Sequence, residues 1–206
     1  NRGAGLQLGY TISSLTLGLS DQFQQQISRG DPSLESTTNS NTVTSTTGYS
    51  FKLFEKSISN SLNLSQTDTA SIVQGPGSRS RIRNGALTIT IGLFSFLNFS
   101  GSGGKTENFD LLKDIKSYTD TFSTTLSWQL FQGKLQFPMT ASYAHSYDLA
   151  KTSNNQNTTY SVGITGTPAQ GHTLSLSGSL NQYMDLIDAR ANYLQYSLNF
   201  QYNAQL

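Results

Sequence analysis

The sequence predicts an all-β fold, a transmembrane antiparallel up-and-down β-barrel in one domain over residues 1–206, and three observations carry that expectation. First, Thr121 to Tyr147 splits into two faces when every second residue is read. Phe122, Leu126, Trp128 and Leu130 stand against Thr121, Ser123, Thr125, Ser127 and Gln129. After Phe131-Gln132-Gly133, Leu135, Phe137, Met139, Ala141 and Tyr143 stand against Gln136, Thr140, Ser142 and Ser146. A period of two is a strand's, and the glycine-containing break is a hairpin's. About ten alternating residues are what a tilted strand needs to cross a bilayer. Second, hydrophobic residues make up 35% and charged residues 12%, below the roughly 45–50% and 25% of soluble domains. Ser, Thr, Asn and Gln fill the difference, as they would in a barrel with lipid outside and a neutral-polar lumen. Third, tight breaks follow Ile12, Leu53, Leu93, Leu130 and Thr167, at spacings of 41, 40, 37 and 37, with longer polar loops between them.

Composition excludes several classes. A net charge of +1, with no basic cluster longer than Arg79 to Arg83, argues against a nucleic-acid partner. The absence of cysteine removes disulfides, thiolate chemistry and cysteine metal sites. No run of eighteen apolar residues provides a transmembrane helix. Disorder is opposed by twenty-two aromatic residues and by the regular alternation.

The elements follow in order. Leu6, Leu8, Tyr10 and Ile12 alternate, and Leu15, Leu17 and Leu19 resume in the other phase. A one-residue slip would turn every side chain to the wrong face, so Ser13-Ser14 is a turn. The second strand reaches about Gln26 before SRGDPSLESTTNSN, a loop. Val43, Tyr49, Phe51 and Leu53 precede Phe54-Glu55-Lys56, and Ile58, Leu62 and Leu64 follow, with Asn60 breaking the outer face. After the loop Gln74 to Ser78, Leu87, Ile89, Ile91 and Leu93 run into Phe94-Ser95-Phe96, whose phase is the least distinct. A glycine-rich loop at Gly101 to Thr106 and a short helix at Asn108 to Lys116 are expected before the central hairpin. Pro138 cannot donate to a ladder, so that strand needs a bulge or a local gap in pairing. Asp148 to Asn157 reads as a loop, and Tyr160, Val162 and Ile164 lead to a turn at Thr167 to Gly171. Leu174, Leu176 and Leu180 follow, Met184 to Ala191 connects, and Leu194, Tyr196, Leu198, Phe200 and Tyr202 close the chain.

Gln195-Tyr196-Ser197-Leu198-Asn199-Phe200-Gln201-Tyr202 is similar to the C-terminal insertion signal of Gram-negative outer-membrane β-barrel proteins. That signal places a glycine two residues after a polar one and ends on two alternating aromatics. Here Gln195 is the polar residue, Ser197 stands at the glycine, and Phe200 and Tyr202 are the aromatics. The resemblance is to the class and implies the bacterial outer membrane, with short turns facing the periplasm and long loops outside. It also implies a final strand ending in the periplasm. Counting back through about eleven strands puts the first one's start at the cell surface, whereas single-chain bacterial barrels have even strand counts. The expectation is therefore that residues 1–206 are the C-terminal part of a larger even-stranded barrel.

Short motifs add little. Gly101 to Thr106 ends like a phosphate-binding loop, but the position five before Gly104 is Phe99. Arg29-Gly30-Asp31 reads as a solvated turn. His145 and Ser146 are adjacent in a strand and point to opposite faces, so they form no dyad. His172 reads as solvated beside a turn. Tyr143, Tyr147, Tyr160, Tyr183, Phe200 and Tyr202 read as interfacial girdles rather than a sugar platform. Asp110, Asp114, Asp185 and Asp188 read as loop charge rather than a calcium site. Leu126, Trp128, Leu130, Phe137, Tyr143, Phe200 and Tyr202 are the candidate lipid-facing residues. No catalytic residue, cofactor or metal is expected. The partner is outer-membrane lipid, together with another envelope protein if the barrel encloses or adjoins one. The functional expectation is a neutral-polar-lined pore. Its alternatives are a structural barrel anchoring or enclosing a partner in an envelope complex, and a surface β-sandwich adhesin.

Overall fold

The computed structural model describes residues 2–28, 36–53, 56–73, 77–167 and 172–204, within which the chain forms eleven strands. These are β1 (Arg2–Ile12), β2 (Leu15–Ser28), β3 (Ser36–Leu53), β4 (Lys56–Val73), β5 (Ser78–Phe94) and β6 (Leu97–Asp110). They continue as β7 (Ile115–Leu130), β8 (Leu135–Asp148), β9 (Asn154–Gly166), β10 (His172–Asp185) and β11 (Tyr193–Ala204), with a short 3-10 turn at Ala189–Ala191. Their order in the sheet is their order in the chain, and every neighbouring pair is antiparallel. This is an up-and-down all-β meander. A sandwich would need two packed sheets; the described strands make one.

Several expected loops are strand. Gly101 to Thr106 lies inside β6, Asn39 to Asn41 inside β3, and Asn154 to Asn157 inside β9. The expected helix at Asn108 to Lys116 is the end of β6, a turn at 111–114 and the start of β7. At 39–41, 101–106 and 154–157 both faces are polar or glycine, so alternation leaves no contrast to read. Glycine's missing packing is supplied from the side. A Cβ built on Gly103 would meet the Phe122 ring at 3.3 Å, and one on Gly101 the Phe99 ring at 3.5 Å. Arg29-Gly30-Asp31, Phe54-Glu55 and residues 168–171 lie outside the described residues.

The turns follow from local chemistry. Phe131, Gln132 and Gly133 all take positive φ (52°, 59° and 87°), and the Gly133 and Lys134 amides donate to Leu130 and Phe131 carbonyls. Ser13 also has positive φ, at 52°. The indistinct phase near Phe94 has a cause: the β5–β6 register shifts between Gly92 and Phe94. Pro138 lies opposite Ser127 of β7, but the β8–β9 pairing passes from Gln136 to Met139, leaving the local gap that proline requires.

Both ends of the sheet are staggered. One row of paired residues runs through Ile12, Leu15, Tyr49, Asn60, Ile89, Gly101, Thr124, Ala141, Tyr160, Leu180 and Tyr196. On the long-connection side the last paired residues approach that row steadily, from Ser28 through Ser71, Asp110 and Tyr147 to Tyr183. The slide is about ten residues across eight strands. At ~3.3 Å per residue and ~4.8 Å per strand it tilts the strands by roughly 40° from the line normal to the sheet's ends. A membrane barrel needs a tilt of about 35–45°.

Candidate functional site

The pairing sorts side chains onto two faces, and their contrast is the chemistry of this chain. Residues directly opposite in an antiparallel ladder share a face. On one face β4 contributes Ser57, opposite Lys52 of β3, and Ser59, Ser61, Asn63, Ser65, Thr67 and Thr69, which lie against Thr90, Thr88, Ala86, Asn84, Ile82 and Ser80 of β5. β7 contributes Ser117, Thr119, Thr121, Ser123, Thr125, Ser127 and Gln129 to the same face, and β9 and β10 add Asn157, Thr159, Ser161, Ser175, Ser177 and Ser179. Cross-strand hydroxyls bond one another there: Thr42 to Thr67, Ser102 to Ser123, Thr119 to Ser146, and Ser179 to Ser197 at 2.7–3.1 Å. Charge on this face sits only at strand ends among the described residues, at Lys52, Asp110, Asp148 and Asp185.

The other face carries most of the large apolar side chains. Leu126, Trp128 and Leu130 lie opposite Met139, Phe137 and Leu135, while Phe122 lies opposite Tyr143. Phe200 and Tyr202 lie opposite Leu176 and Leu174. The seven candidate lipid-facing residues are thus gathered on one face, whereas Gln195 and Ser197 fall on the polar one. None of the described apolar side chains is buried: Leu198 is 79% exposed, Leu6 62% and Phe122 59%.

Above the apolar band, towards the long connections, the same face becomes charged and aromatic. Arg79, Arg81 and Arg83 project from β5, opposite Ala70, Asp68 and Gln66 of β4. Arg81 Nε is 2.6 Å from Asp68, Arg83 Nη1 is 3.7 Å from Glu107, and Lys105 Nζ is 3.1 Å from Asp120. Lys105 also lies over the rings of Tyr118 and Tyr147. Tyr118, Tyr147, His145 and Tyr143 form an unbroken ladder of ring contacts, with centroids 4.9–6.5 Å apart. His145 Nε2 is 2.8 Å from Asn154 Oδ1, beside the aromatic ladder.

Other residues depart from the sequence reading. Tyr183 belongs to no girdle: it stacks on Tyr193 at 5.1 Å on the polar face, because Tyr183 shares the phase of Asn181 and Ser179. His172 bonds the Tyr202 hydroxyl through Nδ1 at 2.6 Å. Three of the four aspartates read as loop charge, Asp110, Asp185 and Asp188, are turn caps. Asp110 Oδ1 accepts from the Leu112 and Lys113 amides, and Asp185 Oδ1 from Ile187 and Asp188. Asp188 caps the 3-10 turn, and the Arg190 guanidinium beside it holds its carboxyl below the ordinary aspartate range. Among the described residues no group of three His, Cys, Asp or Glu is placed to hold a metal ion. Sequence reasoning missed the cationic column, although Arg79-Ser80-Arg81-Ile82-Arg83 has the alternation of an outward face.

No family model matches the chain, and no curated protein matches its sequence. Solved structures resemble its fold. OmpT, an outer membrane protein of Vibrio cholerae, aligns at TM-score 0.45 and 9% identity, over 98% of this chain and 88% of that one. A structure of the NanC porin aligns at TM-score 0.44 and 11% identity, over 99% and 98%. The β domain of the Bordetella autotransporter BrkA aligns at TM-score 0.40 and 11% identity, over 99% and 89%.

Proposed function

We propose that this chain spans a bacterial outer membrane as a tilted β-barrel whose hydroxyl and amide face lines a weakly selective pore. The observation that carries the reading is a sheet most of whose large apolar side chains share one face, none of them buried. Such a surface is untenable in water, where contiguous apolar patches exceed a few hundred Å² only at contacts. Lipid satisfies it, and closing the sheet satisfies the backbone groups at its edges. The opposite face suits water. Its neutral residues offer hydrogen bonds without the charge rings that strong ion selectivity needs. No catalytic role is part of this reading, since His145 and Ser146 lie on opposite faces. The test is conductance. Purified protein in a planar bilayer should give steady, weakly selective currents. Well-inserted protein without conductance would replace the pore with a barrel that is plugged or encloses a partner.

A further inference from the structure

From the outward cationic column of β5 we infer a binding site for the phosphate of a membrane lipid, in the leaflet on the long-connection side. The inference rests on the proposed lipid-facing role of the apolar face. Arg79, Arg81 and Arg83 repeat at every second residue of one strand, so all three leave the same face as Leu87, Ile89 and Ile91. The column begins just above that apolar run, with only Gly85 between. In a bilayer this is where acyl chains give way to headgroups. Lys105 of β6 extends the patch sideways at the height of Gly85, its partner in the ladder.

The local geometry suits phosphate. Arg81 is held through Nε by Asp68, and Arg83 through Nε by Gln66 Oε1 at 3.0 Å. Tethering at Nε fixes each guanidinium while leaving terminal N–H groups for a second, bidentate partner. No ion pair is recorded for Arg79 among the described residues, and Arg83's contact with Glu107 is long. Four cations thus stand among three acids, Asp68, Glu107 and Asp120, and the patch keeps a net positive charge. The patch is local: on the same face, β8 to β10 place His145, Gln156 and Met184 at the height of Lys105. One side of the molecule is thus built for an anionic headgroup, with the Tyr118–Tyr147 aromatic ladder as its flank.

Native mass spectrometry of the full chain, titrated with phosphatidic acid against phosphatidylcholine of the same acyl chains, tests this. Phosphatidic acid should bind preferentially, and the triple variant Arg79→Gln, Arg81→Gln, Arg83→Gln should lower that binding about tenfold. Arg79→Gln alone, which breaks no recorded ion pair, should lower it about twofold and keeps the test open if the triple variant inserts poorly. Removing equal charge at the short-turn end, with Lys52→Gln, Lys56→Gln and Lys134→Gln, should leave binding unchanged. Equal loss in that control, or no loss in either arginine variant, overturns the site. Displacement of the lipid by inorganic phosphate at similar concentration also overturns it, assigning the patch to free phosphate. Quenching of Trp128, the single tryptophan, by brominated acyl chains checks the underlying reading separately. Quenched Trp128 with unaltered lipid binding defeats the site alone, and unquenched Trp128 defeats both.

Discussion

Replacing Leu126 with arginine should nearly abolish stable insertion, whereas the same replacement at Ser127 should be tolerated. The magnitude comes from depth. Leu130 is the last turn-side residue of β7, and Phe122 is the last apolar one before Asp120 on the same face. At ~3.3 Å per residue and a tilt of roughly 40°, that stretch rises about 20 Å, close to the ~25 Å apolar band of outer-membrane barrels. Leu126 stands halfway along it, flanked by Phe99 and Met139. An arginine at the midplane costs about 2–4 kcal/mol, lowering the insertion equilibrium by about 30-fold to about 1,000-fold. Ser127 lies on the opposite face beside Asn98 and Pro138, where a guanidinium reaches water. Urea-dependent insertion into vesicles, read by heat-modifiable gel migration, measures both variants. Equal losses at the two positions would refute the assignment of faces, and with it the lipid-facing reading.

Other outcomes follow from particular residues. Gly133 has φ of +87°, so Gly133→Val should destabilise the inserted protein by about 1–2 kcal/mol in the same assay; no change would mean the turn readily adopts another form. Protease added to intact cells should cut within 111–114, 149–153 or 186–192 and spare 131–134, since the alternation of connections puts these on opposite sides; cleavage at 131–134 would reverse the topology. The Asp188 carboxylate should titrate below the ordinary 3.8 because Arg190 stabilises its charged form. A depressed folded pKa contributes stability above the unfolded value, lost as pH falls through the folded one. The turn's order should therefore be constant from neutral pH to about 4 and decline below 3.8. A carbon-13 titration with a midpoint at or above 3.8 would remove the Arg190 contact.

What the sequence made legible depended on contrast between the faces. Around Leu126, Trp128 and Ser127 the alternation is apolar against hydroxyl, so strand, phase and face could be read from residues alone. At Gly101-Ser102-Gly103-Gly104 both faces are small or polar, and β6 could be found only through its neighbours. Phe122 covers Gly103, and Thr121 lies opposite Gly104. Those contacts join residues far apart in the chain, which a local period cannot register. Tyr183 was misread for a related reason: an aromatic at a strand end suggests a girdle, but only its pairing with Tyr193 and Asn157 fixes its face. The arginine column shows the opposite case. Arg79, Arg81 and Arg83 alternate as clearly as Leu87, Ile89 and Ile91, but the strand signal is apolar alternation, and charge at those positions does not carry it. The register shows that β5 continues past the apolar band, so one face of one strand carries an apolar stretch and then a charged one. Strand length, which local alternation does not reveal, is what puts this column on the same strand face as Leu87, Ile89 and Ile91.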